Sequence, residues 1–224
     1  MVDTPDLGSG AEGHVGSSPI LGNPMTEELS NEMKQHRRTE YAIHPLIHNR
    51  WSPRSMTGEE MQDAELMPLF EAARWAPSSY NGQPWRFIYA KRNTPAWETL
   101  FSLMVAFNQS WAQHASALVV VISKTLFTHN QKPARTHSYD AGAAWMSLAL
   151  EGTSRGYVVH GMEGFDYDKA RQLLHIPDEY QIEAMIAIGK RAPKANLSPE
   201  LQAMEQPGPR LPLTQILMQG TFVP

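Results

Sequence analysis

The longest purely apolar run in the chain covers positions 117–122 and has six residues. A bilayer span takes about twenty, so this run is not a membrane segment. Rich in valine and ending in isoleucine, it reads together with Ser123 as a fully buried strand. Candidate partners flank it. Leu66, Leu69, Phe70 and Ala73 recur at helical spacing, predicting a helix that opens at the capping-box pattern of 57–60, is kinked or divided by Pro68 and is stopped by Pro77. Trp85, Phe87 and Tyr89 alternate with Arg86 and Ile88, predicting a strand over Trp85–Lys91. Thr94 and Pro95 start a helix carrying Trp97, Leu100, Phe101, Met104 and Val105. Ala141, Ala144, Trp145, Leu148 and Ala149 mark the central helix, which ends near Gly156. A short strand over 157–160 runs into "GMEGFD", where Asp166 caps a helix ending near His175, and 182–188 is the last clear strand.

With 224 residues, 42% of them hydrophobic, the chain can bury the core of a single compact α/β unit with tails. Residues 1–40 read as a leader, flexible or forming a peripheral helix over 25–38 with Asn23 and Pro24 at its start. Positions 1–24 lack the basic start and apolar centre of a signal peptide. Residues 41–224 read as one domain, closed by an extended C-terminal arm from about 190, where Pro and Gly are frequent and core periodicity is missing until Leu211. Such arms usually pack on something else, often a second subunit.

A net charge of −4 and a pI near 6.1, with no Lys/Arg cluster long enough to track phosphates, argue against nucleic acid as a partner. The densest basic spot, 34–38, reads as a solvated helix end. The absence of cysteine removes disulfides, thiolate nucleophiles and Cys-ligated zinc, and is compatible with the cytoplasm. His44 and His48 lack the glutamate of a zinc helix, and no G-x-S-x-G accompanies His114, His129, His137 or His160. Dinucleotide and P-loop fingerprints are missing as well. Acidic pairs at Glu59 with Glu60 and Asp166 with Asp168 sit at helix starts, where they favour the dipole.

Three segments carry candidate chemistry. "RWAPSSYNGQPWRFI", 74–88, is a helix-to-strand turn in which Ser78, Ser79, Asn81 and Gln83 lie between Trp75 and Trp85. That set suits a planar, hydrogen-bonding heterocycle, and it equally suits an ordinary turn. In "NRWSPRS", Arg50 and Arg54 flank Ser52, a group able to hold a phosphate and also common on surfaces. Glu163 is bracketed by Gly161 and Gly164, so its main chain can approach a ligand closely.

In this order the segments resemble the FMN-dependent nitroreductase family. "RWSPR" is similar to its phosphate-binding segment, "APSSYNGQPW" to its flavin-contacting turn and "FNQSWAQHAS" to the segment placing an asparagine on the flavin. "GMEGF" is similar to the loop beside the reactive face, and "PRLPLTQI" to the arm with a phosphate-binding arginine. The likeness spans about 41–216. It implies an α+β fold, a mainly antiparallel sheet between helices, in a homodimer whose subunits share each FMN site. Arg50, Ser52 and Arg210 would hold the phosphate, with Trp51 in the same segment, while Arg54 and Asn108 would lie near the ribityl chain and pyrimidine edge. Pro77, Ser78, Ser79, Asn81 and Gln83 would line the ring from the partner subunit. Met162 and the main chain of Glu163 and Gly164 would sit by flavin N5.

The resemblance further implies ping-pong hydride transfer from NAD(P)H to nitroaromatics, quinones or similar acceptors, with no side-chain acid or base. A flavin carrier or sensor with little turnover is the alternative, and an interaction module without flavin a third. Two family lysines are missing: Trp111 and Gly208 stand in their places, with Lys190 and Arg191 as candidate substitutes.

Overall fold

The computed structural model describes residues 28–222. Along the chain these form α1 (Asn31–His36), α2 (Pro45–Asn49), α3 (Asp63–Arg74), β1 (Trp85–Lys91), α4 (Pro95–Phe101), α5 (Ala106–Ala112) and β2 (Ala117–Lys124). There follow α6 (His137–Ser154), β3 (Tyr157–Met162), α7 (Tyr167–Leu173), β4 (Tyr180–Lys190), α8 (Pro199–Met204) and α9 (Leu213–Ile216). The strands form one sheet in the order β1-β2-β4-β3 with every pairing antiparallel. The fold is α+β, as the resemblance implies.

β2 lies inside the sheet, and every residue from Ala117 to Ser123 is buried. Its alternation divides the core. Leu118, Val120 and Ile122 face Trp97, Leu100, Trp111 and Leu201, whereas Ala117, Val119 and Val121 face Leu66, Leu69, Ala144 and Leu148. Helices α4, α5 and α8 thus cover one side, and α3 packed on α6 covers the other.

One irregularity shapes the second side. Val121 pairs with Ala184 but Ile122 pairs with Ile182, so Glu183 is an extra residue in β4. This bulge reverses the parity of the strand: Ile182 and Met185 both join the first core cluster, while Glu183 and Ala184 line the same cavity between the sheet and α6.

Several boundaries differ from the sequence expectations. α3 opens at Asp63 rather than near 57, because Met56 bridges Arg191 and the N-terminal carboxylate contact is Glu65 accepting from Gln62 N at 2.8 Å. Pro68 neither divides nor ends α3. α4 stops at Phe101, since Met104 forms a β-bridge with Phe165. The helix expected over 25–38 is seen as α1, capped by Ser30, with Arg37 already extended; the Asn23–Pro24 cap lies outside the described residues. Beyond 190, Leu197 and Leu201 enter the core, which the absence of sequence periodicity concealed. Asp166 caps α7 as read, accepting from Lys169 N at 2.9 Å. Among the described residues no helix is long and apolar enough to cross a membrane.

Candidate functional site

The segment after α2 has too few apolar residues to bury itself and is held from outside. Glu205, at the end of α8, has a fully buried carboxylate that accepts from Arg54 N at 2.9 and 3.0 Å and from Ser55 N at 3.0 Å. Arg191 donates to it at 2.7 Å and lies over the Trp51 ring at 4.9 Å. From below, His160 Nδ1 donates to Pro53 O at 2.8 Å, with its ring 4.5 Å from that of Trp111. Arg50 donates to Ser52 Oγ at 3.3 Å. Arg54 is held at its backbone N–H, but the buried Nε of its guanidinium has no partner among the described residues.

Burial lowers the His160 pKa to about 4, against the bond to Pro53, and Arg54 lowers it further. The ring is therefore neutral at pH 7. An unfolded chain would protonate it near 6.5, so stability is full above that pH and falls as the pH drops from 6.5 towards 4. The gap corresponds to about 3 kcal/mol at most. His160→Gln is expected to flatten this part of the acid-unfolding curve followed by circular dichroism; a curve parallel to wild type between pH 6.5 and 4 would refute the assignment.

Two cavities flank the segment. One, about 370 Å³, is lined by Ser52, Trp145, Gly161, Met162 and Glu163, with Glu183 and Ala184 as floor. Trp145 Nε1 is buried and unpartnered among the described residues, and a Cβ at Gly161 would touch the Trp145 ring at 3.3 Å, so the glycine lets that indole lie on β3. Ser138 donates to Glu183 at 2.8 Å and Ser123 donates to it as well. The Ser123 hydroxyl therefore accepts from His137 Nδ1, 2.7 Å away. The second cavity, about 720 Å³, is lined by Arg37, Arg50 and Arg210. Among the described residues no carboxylate lies within ion-pair distance of any of the three. Burial, then Arg210, lowers the Arg50 pKa.

Asn108 joins the loop after β3: its Nδ2 donates to Gly164 O at 3.0 Å, and Val105 N donates to the same carbonyl at 3.1 Å. The turn at 77–83 is tied to the start of α6, where Asp140 accepts from Ser79 N at 3.1 Å, and Ser78 Oγ accepts from Gln83 N at 3.0 Å. Tyr80, Asn81 and Gln83 all have positive φ, which the asparagine tolerates best. Pro77, Ser78, Ser79, Asn81 and Gln83 line neither cavity. One chain thus gathers Arg50 with Arg210, Ser52 with Met162 and Glu163, and Asn108 with Gly164, and keeps the turn apart.

A sequence model described as the Nitroreductase family matches residues 47–190. The chain belongs to the nitroreductase family. Among solved structures it is similar to an oxidoreductase containing FMN, at 42% identity and a TM-score of 0.80 over 84% of this chain and 96% of that one. An uncharacterised 15.4 kDa protein of Mycolicibacterium smegmatis is 31% identical over 145 residues, 61% of this chain and 97% of the relative. A putative NAD(P)H nitroreductase of Bacillus subtilis, YdgI, is 24% identical over 164 residues, 57% of this chain and 78% of the relative.

Within this nitroreductase-family chain, four parts of the site escaped the sequence reading. Arg37 was placed in a solvated helix end, yet it is half-buried beside Arg50. Glu205 and Asp140 act through backbone N–H groups distant in sequence, which no local pattern announces. The Glu183 cluster depends on the bulge. Lys190 and Arg191, the candidate substitutes for the missing family lysines, are both paired with carboxylates: Lys190 with Glu59 and Glu65, and Arg191 with Glu205 and Glu32.

Proposed function

We propose that this chain is an FMN-dependent oxidoreductase that passes electrons from NAD(P)H to nitroaromatic, quinone or similar electrophilic acceptors by a ping-pong scheme. The carrying observation is the convergence of Arg50 and Arg210 on one cavity with no carboxylate within ion-pair distance of either among the described residues. Like charges raise each other's energy unless an anion joins them. The 42%-identical structure that contains FMN supports the same group here.

The residues fit that cofactor in a second respect. Arg54 Nε and Trp145 Nε1 are buried donors without acceptors among the described residues, a costly state that a ligand rich in acceptors relieves. In this reading Arg50, Ser52 and Arg210 hold the phosphate, with Trp51 packed behind them under Arg191. Arg54 and Asn108 donate to the ribityl and pyrimidine side, where a preorganised cation and amide stabilise developing negative charge. Met162 and the main chain at Glu163 and Gly164 line the reactive face. Bound FMN would supply two-electron chemistry at N5, leaving the protein to bind, orient and exclude water. No side-chain acid or base is assigned.

The turn bearing Pro77, Ser78, Ser79, Asn81 and Gln83 lines neither of the two cavities that flank the arginine segment, and Trp75 and Tyr80 beside it are largely exposed. A homodimer in which this turn completes the site of a second copy accounts for both facts. Residues 41–224 form the domain in this assembly, with the segment from about 190 as the arm, and the location is cytoplasmic.

The test is the visible spectrum of the purified protein after FMN incubation and desalting, followed by anaerobic NADH and NADPH. A retained flavin that bleaches with a donor and returns with a quinone or nitroaromatic is the expected result. A retained flavin bleached by dithionite alone would replace this reading with the carrier or sensor. In the same assay, Arg50→Ala with Arg210→Ala is expected to lose the flavin; a fully yellow double variant would refute the phosphate assignment.

A further inference from the structure

Four arginines line the larger cavity; Arg38 is exposed, and the other three, Arg37, Arg50 and Arg210, are not equivalent. Arg50 lies within the family-matched region 47–190, whereas Arg37 stands upstream of it and Arg210 downstream. Arg37 nevertheless makes the most connections. Its Nη1 donates to Arg50 O at 3.0 Å and to His48 O at 3.2 Å, and its Nε donates to Gly208 O at 3.0 Å. Arg210 Nη1 donates to that same Gly208 carbonyl at 3.3 Å, so two guanidinium groups share one acceptor. Glu40 also lines the cavity, but its carboxylate accepts from Leu213 N at 2.8 Å and lies beyond ion-pair distance of the arginines.

Sharing one neutral carbonyl does not neutralise two cations. Burial, then Arg210, then Arg50, lowers the Arg37 pKa to about 10, still far enough above 7 for the charge to persist. The Nη2 of Arg37 makes no hydrogen bond among the described residues, and a guanidinium whose Nε and Nη1 are held by carbonyls can present the N–H groups of Nη2 to an anion in fixed geometry. The segment delivering it is anchored independently. Met33 is buried, and Asn49 exchanges bonds with Ser30 N at 2.9 Å and Glu28 O at 2.8 Å.

We propose that Arg37 is the third cation of the phosphate site, and that by bonding Arg50 O and Gly208 O it holds the other two arginines around one anion. The assignment rests on the FMN reading above. It makes the segment before residue 41 part of the cofactor site, with the terminal phosphate monoester of the flavin as the ligand.

FMN and riboflavin differ only in that phosphate, so the pair isolates the contribution. Flavin-stripped full-length protein is titrated with each, following quenching of flavin fluorescence, for wild type, Arg37→Ala and Arg37→Lys. Wild type is expected to bind FMN more tightly than riboflavin; equal affinities would sink the phosphate reading itself, separately from the role of Arg37. Given that preference, Arg37→Ala is expected to weaken FMN about tenfold to a hundredfold, the range for a hydrogen bond to a charged group, and to leave riboflavin unchanged. Arg37→Lys, which keeps the charge but not the fork that bonds the three carbonyls, should fall between alanine and wild type for FMN. Equal loss for both flavins in Arg37→Ala would mark a purely structural role and overturn the proposal. So would unchanged FMN binding, or a lysine variant as weak as alanine.

Discussion

Glu205→Ala should lower the stability of the protein by about 3–5 kcal/mol, the range for removing one partner of a buried ion pair. The carboxylate is fully buried, and its loss leaves Arg191 only the more distant Glu32, 3.7 Å away, and strands the N–H groups of Arg54 and Ser55. For a chain of this length the loss corresponds to a fall in Tm on the order of 10 °C. Differential scanning calorimetry of wild type and variant measures it directly, and a shift under 2 °C would contradict the role given to this residue. Glu205→Gln should fall between the two, because an amide oxygen can still accept from one N–H but removes the nearer of the two counter-charges of Arg191. The damage should be functional too, since the same carboxylate fixes the backbone that carries Ser52 and Arg54.

Gly164→Ala should impair cofactor handling more than stability. A Cβ there would come within 2.7 Å of Asn108 Nδ2 and 3.1 Å of Val105 Cγ2. Asn108 is buried, and its amide bonds to the carbonyl of Gly164 itself, so it can yield only by giving up that bond and turning away from the loop. With Asn108 assigned as the donor at the pyrimidine edge, its displacement should slow flavin bleaching by NAD(P)H at least tenfold, about the worth of one hydrogen bond to developing charge. Stopped-flow absorbance on wild type and Gly164→Ala measures the difference. Equal rates would remove Asn108 from the site.

What the sequence disclosed was governed by short-range physics. The apolar run at 117–122 announces β2, because a strand buried on both faces cannot afford alternation, and helical spacing announces α3 and α6 through the side each must bury. Asp166 announces its cap because capping is a contact three residues long. The missed features depend on partners remote in sequence. Leu197 and Leu201 are core residues in too short a segment to show a period. Asp140 reads as a polar start to an amphipathic helix until Ser79, sixty-one positions away, supplies the N–H it accepts. Arg37 reads as one more surface charge until Gly208, 171 positions away, turns out to lie beside it. Motif resemblance singles out Arg50, Asn108 and Arg210 as candidates because family patterns carry long-range information that local propensity lacks, but it offers nothing for residues outside those patterns.

The extra residue in β4 makes one property of the smaller cavity a matter of counting rather than chemistry. Glu183 and Ala184 share its floor only because the ladder against β2 skips a position between Val121 and Ile122. A substitution at 183 would change what the floor offers, an acceptor or a methyl group, and leave its outline in place. Deleting Glu183 would instead restore a regular ladder, leave Ile182 opposite Ile122 as before, and remove the 183 side chain from the cavity altogether. Among relatives with this fold, insertions and deletions at this point of the strand, more than replacements, would therefore re-specify which molecules the cavity admits.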